Sequence, residues 1–202
     1  MKPKIIVGLT GNIATGKSVI LRLAAERDAL VIDADKVVHA ILADDAAVQA
    51  AIRAAFGAGV FQADGSLHRP ALGQQVFGDP AQLQTLESIV HPVVRRRIIE
   101  QIRHSQATII FIEAIKLLEG PLKDECDQIW VTFCSPYTQI ERLRQGRGLD
   151  EDTARQRVAA QSPQADKIAQ ADVVIDTNGT MSATIAQFER AWANLVGMAN
   201  HS

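Results

Sequence analysis

GLTGNIATGKS, residues 8–18, sets Gly11, four further residues and then Gly16-Lys17-Ser18 in one unbroken stretch. This is the full phosphate-binding P-loop pattern, and its flanks supply the context the pattern requires. The apolar run Ile5-Ile6-Val7 precedes it, and Val19-Ile20-Leu21-Arg22-Leu23-Ala24-Ala25 follows with helical character, so the segment reads strand, loop, helix. Glycines at 11 and 16 let the backbone turn tightly around an anion. Successive N–H groups then point inward, and the helix N-terminus adds its positive end. In such a loop Lys17 reaches the β- and γ-phosphates of a nucleotide, and the Ser18 hydroxyl is placed on Mg²⁺.

Bulk composition narrows the class around that motif. A chain of 202 residues has room for one domain with a sizeable core and an inserted lobe. The apolar fraction of 47% and charged fraction of 22% are those of an ordinary globular protein. A net charge of −2 gives no general electrostatic case for nucleic acid or an anionic membrane as partner. Cys126 and Cys134 lack metal-ligand spacing and sit in or beside an apolar segment, so buried free thiols are expected. Lys2, Lys4 and the following apolar run imitate the start of a signal peptide, but the run stops at Thr10-Gly11-Asn12. The expectation is a soluble cytoplasmic protein, a monomer or small homo-oligomer.

Five short apolar runs have strand character: 5–9, 30–32, 108–112, 129–133 and 173–175. Most are continuous rather than alternating, as parallel strands buried on both faces are. Helical patterns separate them, which predicts an α/β fold. About 75 residues lie between the second and third runs, far more than one crossover helix needs. That interval is mostly helical by pattern, with one segment over 37–56. A second begins at Asp79-Pro80, and a third resumes over 93–102 after His91-Pro92 interrupts. The reading is a helical insertion beside the sheet. A further interruption over 145–150, before a polar helix over 152–161, has the character of a flap.

Candidate chemistry collects at the ends of these runs. Asp33, fifteen residues after Ser18, stands at the C-terminal end of the second run, where ligands of open α/β sheets bind. It is placed to take a proton from an attacking hydroxyl or to hold Mg²⁺ through water. The alternative is that Asp33 or Asp35 caps the next helix, a role Asp35 fits well. Glu113 closes the third run and could support Mg²⁺ or bind a substrate hydroxyl. Arg142, Arg144, Arg147, Arg155 and Arg157 surround the flap; one or two could neutralise a transferring phosphate while the rest pair with Glu141 and Asp150–Asp152. His91, followed by Pro92 and Arg95-Arg96-Arg97, is the histidine best placed to meet an anionic substrate.

Taken together, the blocks GLTGNIATGKS, VIDADKVVH, LESIVHP, IERLRQGRGL, RVAAQ and ADVVIDTNG occur in an order that resembles the dephospho-CoA kinase family over nearly the whole chain. The resemblance implies a three-layer P-loop kinase core with a five-stranded parallel sheet. The core falls on 1–35 and 106–202, a helical acceptor-binding insertion on about 36–105 and a small lid on about 145–161. It implies ATP-dependent phosphorylation of the ribose 3′-hydroxyl of dephospho-CoA, with ATP as co-substrate and Mg²⁺ as cofactor. Nucleotide contacts then fall on Gly11, Asn12, Ile13, Ala14, Thr15, Gly16, Lys17, Ser18 and Val19, with Ser18 on the metal. Lys17, Asp33 and Arg142 take the catalytic roles, and Asp33, His91 and Glu113 the acceptor side. The family's usual loop reads GLTGGIGSGKS, so Asn12 and Ala14 must adopt their backbone angles with a Cβ in place. An arginine often found near the flap tip is Gly146 here. Another small-metabolite or nucleoside monophosphate kinase, or a non-catalytic ATP-binding module, shares the same core.

Overall fold

Each of the five apolar runs becomes a strand. The computed structural model describes residues 4–201, so Lys2 lies outside the described residues. The strands are β1 (Ile5–Thr10), β2 (Leu30–Asp33), β3 (Ile109–Glu113), β4 (Gln128–Phe133) and β5 (Val173–Asp176). They form one sheet in the order β2-β3-β1-β4-β5, all parallel. Val7 lies opposite Phe111 on one side and Gln128 on the other, which places the P-loop strand at the centre. β4 continues the parallel ladder into β5, with Phe133 opposite Asp176. β1, β3 and β4 are flanked on both edges and buried along most of their length, which is why their runs do not alternate.

The chain divides into two compact units, residues 1–32 with 105–202, and residues 33–104. In the first, α1 (Lys17–Ala25) and α9 (Met181–His201) cover one face of the sheet. Val7, Leu9, Ile20, Trp130, Phe188 and Leu195 are fully enclosed there. Phe111 meets Trp130 edge-on at 5.3 Å between ring centroids, and Trp192 stacks on Phe188 at 5.6 Å. Such offset and edge contacts add specificity to the area these rings bury. Between β4 and β5 lie α6 (Pro136–Arg147), α7 (Glu151–Ala159) and the short α8 (Gln164–Ile168). The helix α6 extends through the start of the expected flap to Arg147. Gly148, at φ 64°, then ends it by donating to Arg144 O, and Asp150 caps α7. The irregular connection is therefore only residues 148–150.

The second unit is helical: α2 (Ala34–Asp44), α3 (Ala46–Phe56), α4 (Arg69–Val76) and α5 (Pro80–His104). The single segment expected over 37–56 is split, because Asp45 leaves helical geometry and its carboxylate accepts from Ala47 N and Val48 N. Asp79 caps α5 as expected, accepting from Ala81 N and Gln82 N. The interruption expected at His91-Pro92 does not occur. Helix α5 passes straight through Pro92, although an interior proline removes one hydrogen bond and costs about 3 kcal/mol. Burial of Val90, Val94, Ile98 and Ile102 along one stripe spans both sides of the proline and offsets that cost. Among the described residues no helix is long and apolar enough to cross a membrane.

Candidate active site

The loop after β1 is fixed by one glycine that nothing else can replace. Gly11 adopts φ 146°, and a Cβ built there would stand 2.4 Å from the Thr132 carbonyl oxygen and 2.6 Å from Thr132 Oγ1. The loop therefore sits directly on β4, held by a buried hydroxyl chain from Thr132 Oγ1 to Thr15 Oγ1 (2.9 Å) and on to Asn12 O (2.8 Å). Gly16, at φ 91°, turns the chain into α1. Of the two residues expected to strain the loop, Ala14 does take a left-handed angle, φ 59°, whereas Asn12 does not. An alanine there costs roughly 1–2 kcal/mol. Asn12 is instead 5% exposed and donates from Nδ2 to Ser162 O at 3.0 Å, so its side chain ties the loop to the segment after α7.

Lys17 folds back over its own loop. Its ammonium donates to Gly11 O at 2.8 Å and Asn12 O at 3.3 Å, and lies 3.8 Å from the carboxylate of Glu113. Both side chains are largely withdrawn from solvent, 12% and 15% exposed, so the pair is weakly screened. Glu113 thus stands at the end of β3 beside the lysine, while Ser18 follows on the first turn of α1, exposed. A cavity of about 310 Å³ opens against the loop, lined by Ala14, Gly16, Ser18, Arg142, Thr177 and Met181 among others.

Arg142 forms part of that wall through a set of bonds its position in sequence did not suggest. Its guanidinium donates from Nη1 to Ala14 O (3.1 Å) and Thr177 Oγ1 (3.0 Å), and from Nη2 to Thr177 O (2.6 Å). Thr177, 2% exposed, donates in turn to Thr15 O at 2.9 Å. One arginine on α6 and one threonine after β5 thus hold the far side of the P-loop. Cys134 lies against the same guanidinium (3.7 Å); burial pushes its thiol up, and the positive charge of Arg142 opposes that shift. Of the other flap arginines, Arg144 pairs with Glu141 (2.9 Å) and Glu151 (3.5 Å), and Arg155 with Glu151 (2.5 Å). Arg155, followed by Arg144, holds the Glu151 carboxyl below its ordinary range.

Two glutamines that sequence reading passed over grip the tip of the loop. Gln161 Oε1 accepts from Ile13 N at 2.7 Å, and Gln139 Nε2 donates to Ile13 O at 2.7 Å. Gln161 closes the RVAAQ block, so its place in that block was the available signal.

Asp33 and His91 belong to the second unit. Asp33 ends β2 and is itself the N-cap of α2: Oδ1 accepts from Lys36 N at 3.0 Å, and Oδ2 lies 3.2 Å from Lys36 Nζ. The capping role given to Asp35 therefore falls two residues earlier, since the helix begins at Ala34 as soon as the strand ends. His91 is partly buried on α5, next to Pro92, and Arg95, Arg96 and Arg97 on the same helix are exposed. No group of three or more His, Cys, Asp or Glu that could hold a metal occurs among the described residues.

A central parallel strand, a glycine-built anion loop, a lysine at its mouth and the 2-3-1-4-5 strand order define a P-loop protein of the kinase type. A family model described as dephospho-CoA kinase matches residues 5–183. A dephospho-CoA kinase from Symbiobacterium thermophilum is 40% identical over 195 residues, covering 95% of this chain and 82% of the relative. One from Leifsonia xyli is 39% identical over 198 residues, covering 95% of this chain and 99% of the relative. Among solved structures, a Thermus thermophilus protein superposes with a TM-score of 0.80 at 28% identity, covering 98% of each chain. The chain belongs to the dephospho-CoA kinase family.

Proposed function

We propose that this chain transfers the γ-phosphoryl group of Mg·ATP to the ribose 3′-hydroxyl of dephospho-CoA, giving CoA and ADP. The observation that carries the reading is the preformed P-loop with its lysine held at the mouth beside Glu113, in a chain whose family match spans 5–183. Phosphoryl transfer asks little covalent chemistry of a protein; it asks for position and for charge placed where charge develops. Within Gly11–Val19 the N–H groups of Ile13, Thr15 and Val19 already donate to Gln161 Oε1, Asn12 O and Gly16 O; the remaining loop N–H groups and the N-terminus of α1 would cradle the phosphates. Lys17 would exchange its loop carbonyl partners for phosphate oxygens. Arg142, already fixed against Ala14 and Thr177, would supply a second cation at the cavity wall without reorganisation.

Mg²⁺ fits the donor set: it keeps several waters and takes few protein ligands, and an exposed Ser18 hydroxyl beside the phosphate loop is such a ligand. When bound it neutralises charge on the phosphate oxygens. Asp33 is the general base in this reading, accepting the proton of the attacking 3′-hydroxyl, while His91 and Glu113 contact the acceptor. The residues about 36–105 act as the acceptor-binding part and about 145–161 as the lid.

A coupled ADP-release assay with Mg·ATP, comparing dephospho-CoA with adenosine, AMP and shikimate, tests the proposal. Turnover confined to dephospho-CoA, with a 3′-phosphorylated product by mass, is expected. Measurable ATP binding with no acceptor-dependent ADP release overturns it in favour of a non-catalytic nucleotide-binding module.

A further inference from the structure

Ile13 gives its N–H to a side chain from outside the loop rather than to the loop itself. It donates to Gln161 Oε1 at 2.7 Å, while its carbonyl accepts from Gln139 Nε2 at 2.7 Å. Both polar groups at this residue are therefore held by side-chain amides from outside the loop. Gln139 is 1% exposed on α6, so one jaw of the grip is buried. The other jaw is different in kind. Gln161 follows the last turn of α7, the helix that carries Arg155 and Arg157, and its Nε2 donates to Arg157 O at 3.2 Å. Asn12 adds a third tie to the same segment through Ser162 O.

These bonds tie the segment that follows α7 to the loop tip, and Gln161 is bonded in turn to Arg157 O in the last turn of that helix. We infer that Gln161 is a positioning residue: it sets the orientation of the Ile13 peptide according to the position of α7, so that the phosphate grip and the arginine-bearing helix are set together. The inference rests on the phosphoryl-transfer reading above for its kinetic consequence, though not for its geometry.

Gln161 has two separable bonds, which allows a test that a merely structural role would fail. Gln161→Glu keeps an acceptor for Ile13 N and loses the donor to Arg157 O. Gln161→Lys keeps a donor and loses the acceptor. Gln161→Leu loses both. Losing the grip on Ile13 is expected to lower kcat for dephospho-CoA about tenfold, the scale of one hydrogen bond to a catalytic loop. The Leu and Lys variants should show that loss together with faster amide hydrogen exchange at Ile13. The Glu variant should retain Ile13 protection and recover kcat to within about threefold of the parent.

If Gln161 only terminates α7, the order reverses: Lys, favoured at a helix C-terminus, restores activity and Glu does not. That reversal, equal losses in Glu and Lys, or wild-type kcat in the Leu variant overturns the inference. A parent protein that binds ATP without phosphorylating dephospho-CoA overturns the reaction instead, and the Ile13 exchange comparison among the three variants still decides the positioning role.

Discussion

Replacing Gly11 with alanine asks how much of the phosphate loop is held by its contact with β4. Two costs can be worked from the structure. At φ 146° an L-residue occupies backbone space that is nearly glycine-only, a strain of about 1–3 kcal/mol. The new Cβ would also stand 2.4 Å from Thr132 O, 2.6 Å from Thr132 Oγ1 and 2.8 Å from Thr15 Oγ1. The nearest of these atoms is backbone in a central strand and cannot swing away, so forcing the methyl group in adds about 1–3 kcal/mol of overpacking. The expected loss of unfolding free energy is about 3 kcal/mol or more, a large part of the 5–15 kcal/mol typical of a domain.

Two sister variants calibrate the scale. Gly16→Ala carries φ 91° but meets only the Thr177 side chain, nearest at Cγ2, 3.3 Å, so about 1–2 kcal/mol is expected. Gly146→Ala lies in α6 with no atom within 4 Å of the added methyl, and should be neutral or gain about 0.5 kcal/mol. Urea unfolding of the three variants, with the slope unchanged, reads the order directly. ATP affinity measured alongside should fall steeply for Gly11→Ala. A Gly11→Ala protein with the parent's midpoint and ATP affinity would refute the claim that the loop is seated on Thr132.

Asp33→Asn separates the two jobs Asp33 holds. Asn caps helices about as well as Asp, so stability should hold, while turnover falls about 10²–10⁴-fold with ATP affinity nearly unchanged; near-normal turnover removes Asp33 from the base role. Cys126 should resist thiol reagents in the native state. Burial, reinforced by Asp127, Glu125 and Asp124, pushes its thiol from 9.0 up to about 12. At pH 8 its thiolate fraction then drops ~10³-fold, partly offset by greater nucleophilicity, so labelling should run roughly 30- to 60-fold slower than for an unfolded thiol. The folded thiol stays protonated where the unfolded one ionises, so its contribution to stability is intact below pH 9 and is lost between about 9 and 12. Rapid modification of Cys126 at pH 8, located by peptide mass, contradicts this.

The parts of this protein that the chain declares locally are the five strands and the anion loop. Short continuous apolar runs spaced by helical patterns read as parallel strands, and Gly11, Gly16, Lys17 and Ser18 specify a turn by conformational freedom and charge that no distant residue supplies. Family membership followed from blocks in order, for the same reason. What failed or stayed silent depended on partners far along the chain. Pro92 reads as a break, yet the helix continues because Val90, Val94, Ile98 and Ile102 are buried together on one stripe. Asp35 looks like the better cap, but the cap belongs to whichever residue stands where the strand ends, and that is Asp33. Arg142 reaches Ala14 across 128 residues and Gln161 reaches Ile13 across 148. Hydrogen bonds between residues so far apart depend on distance in space alone. Composition and spacing supply the donor and the acceptor, and only the folded sheet, by stacking β4, α6 and α7 against the loop, decides which of them meet.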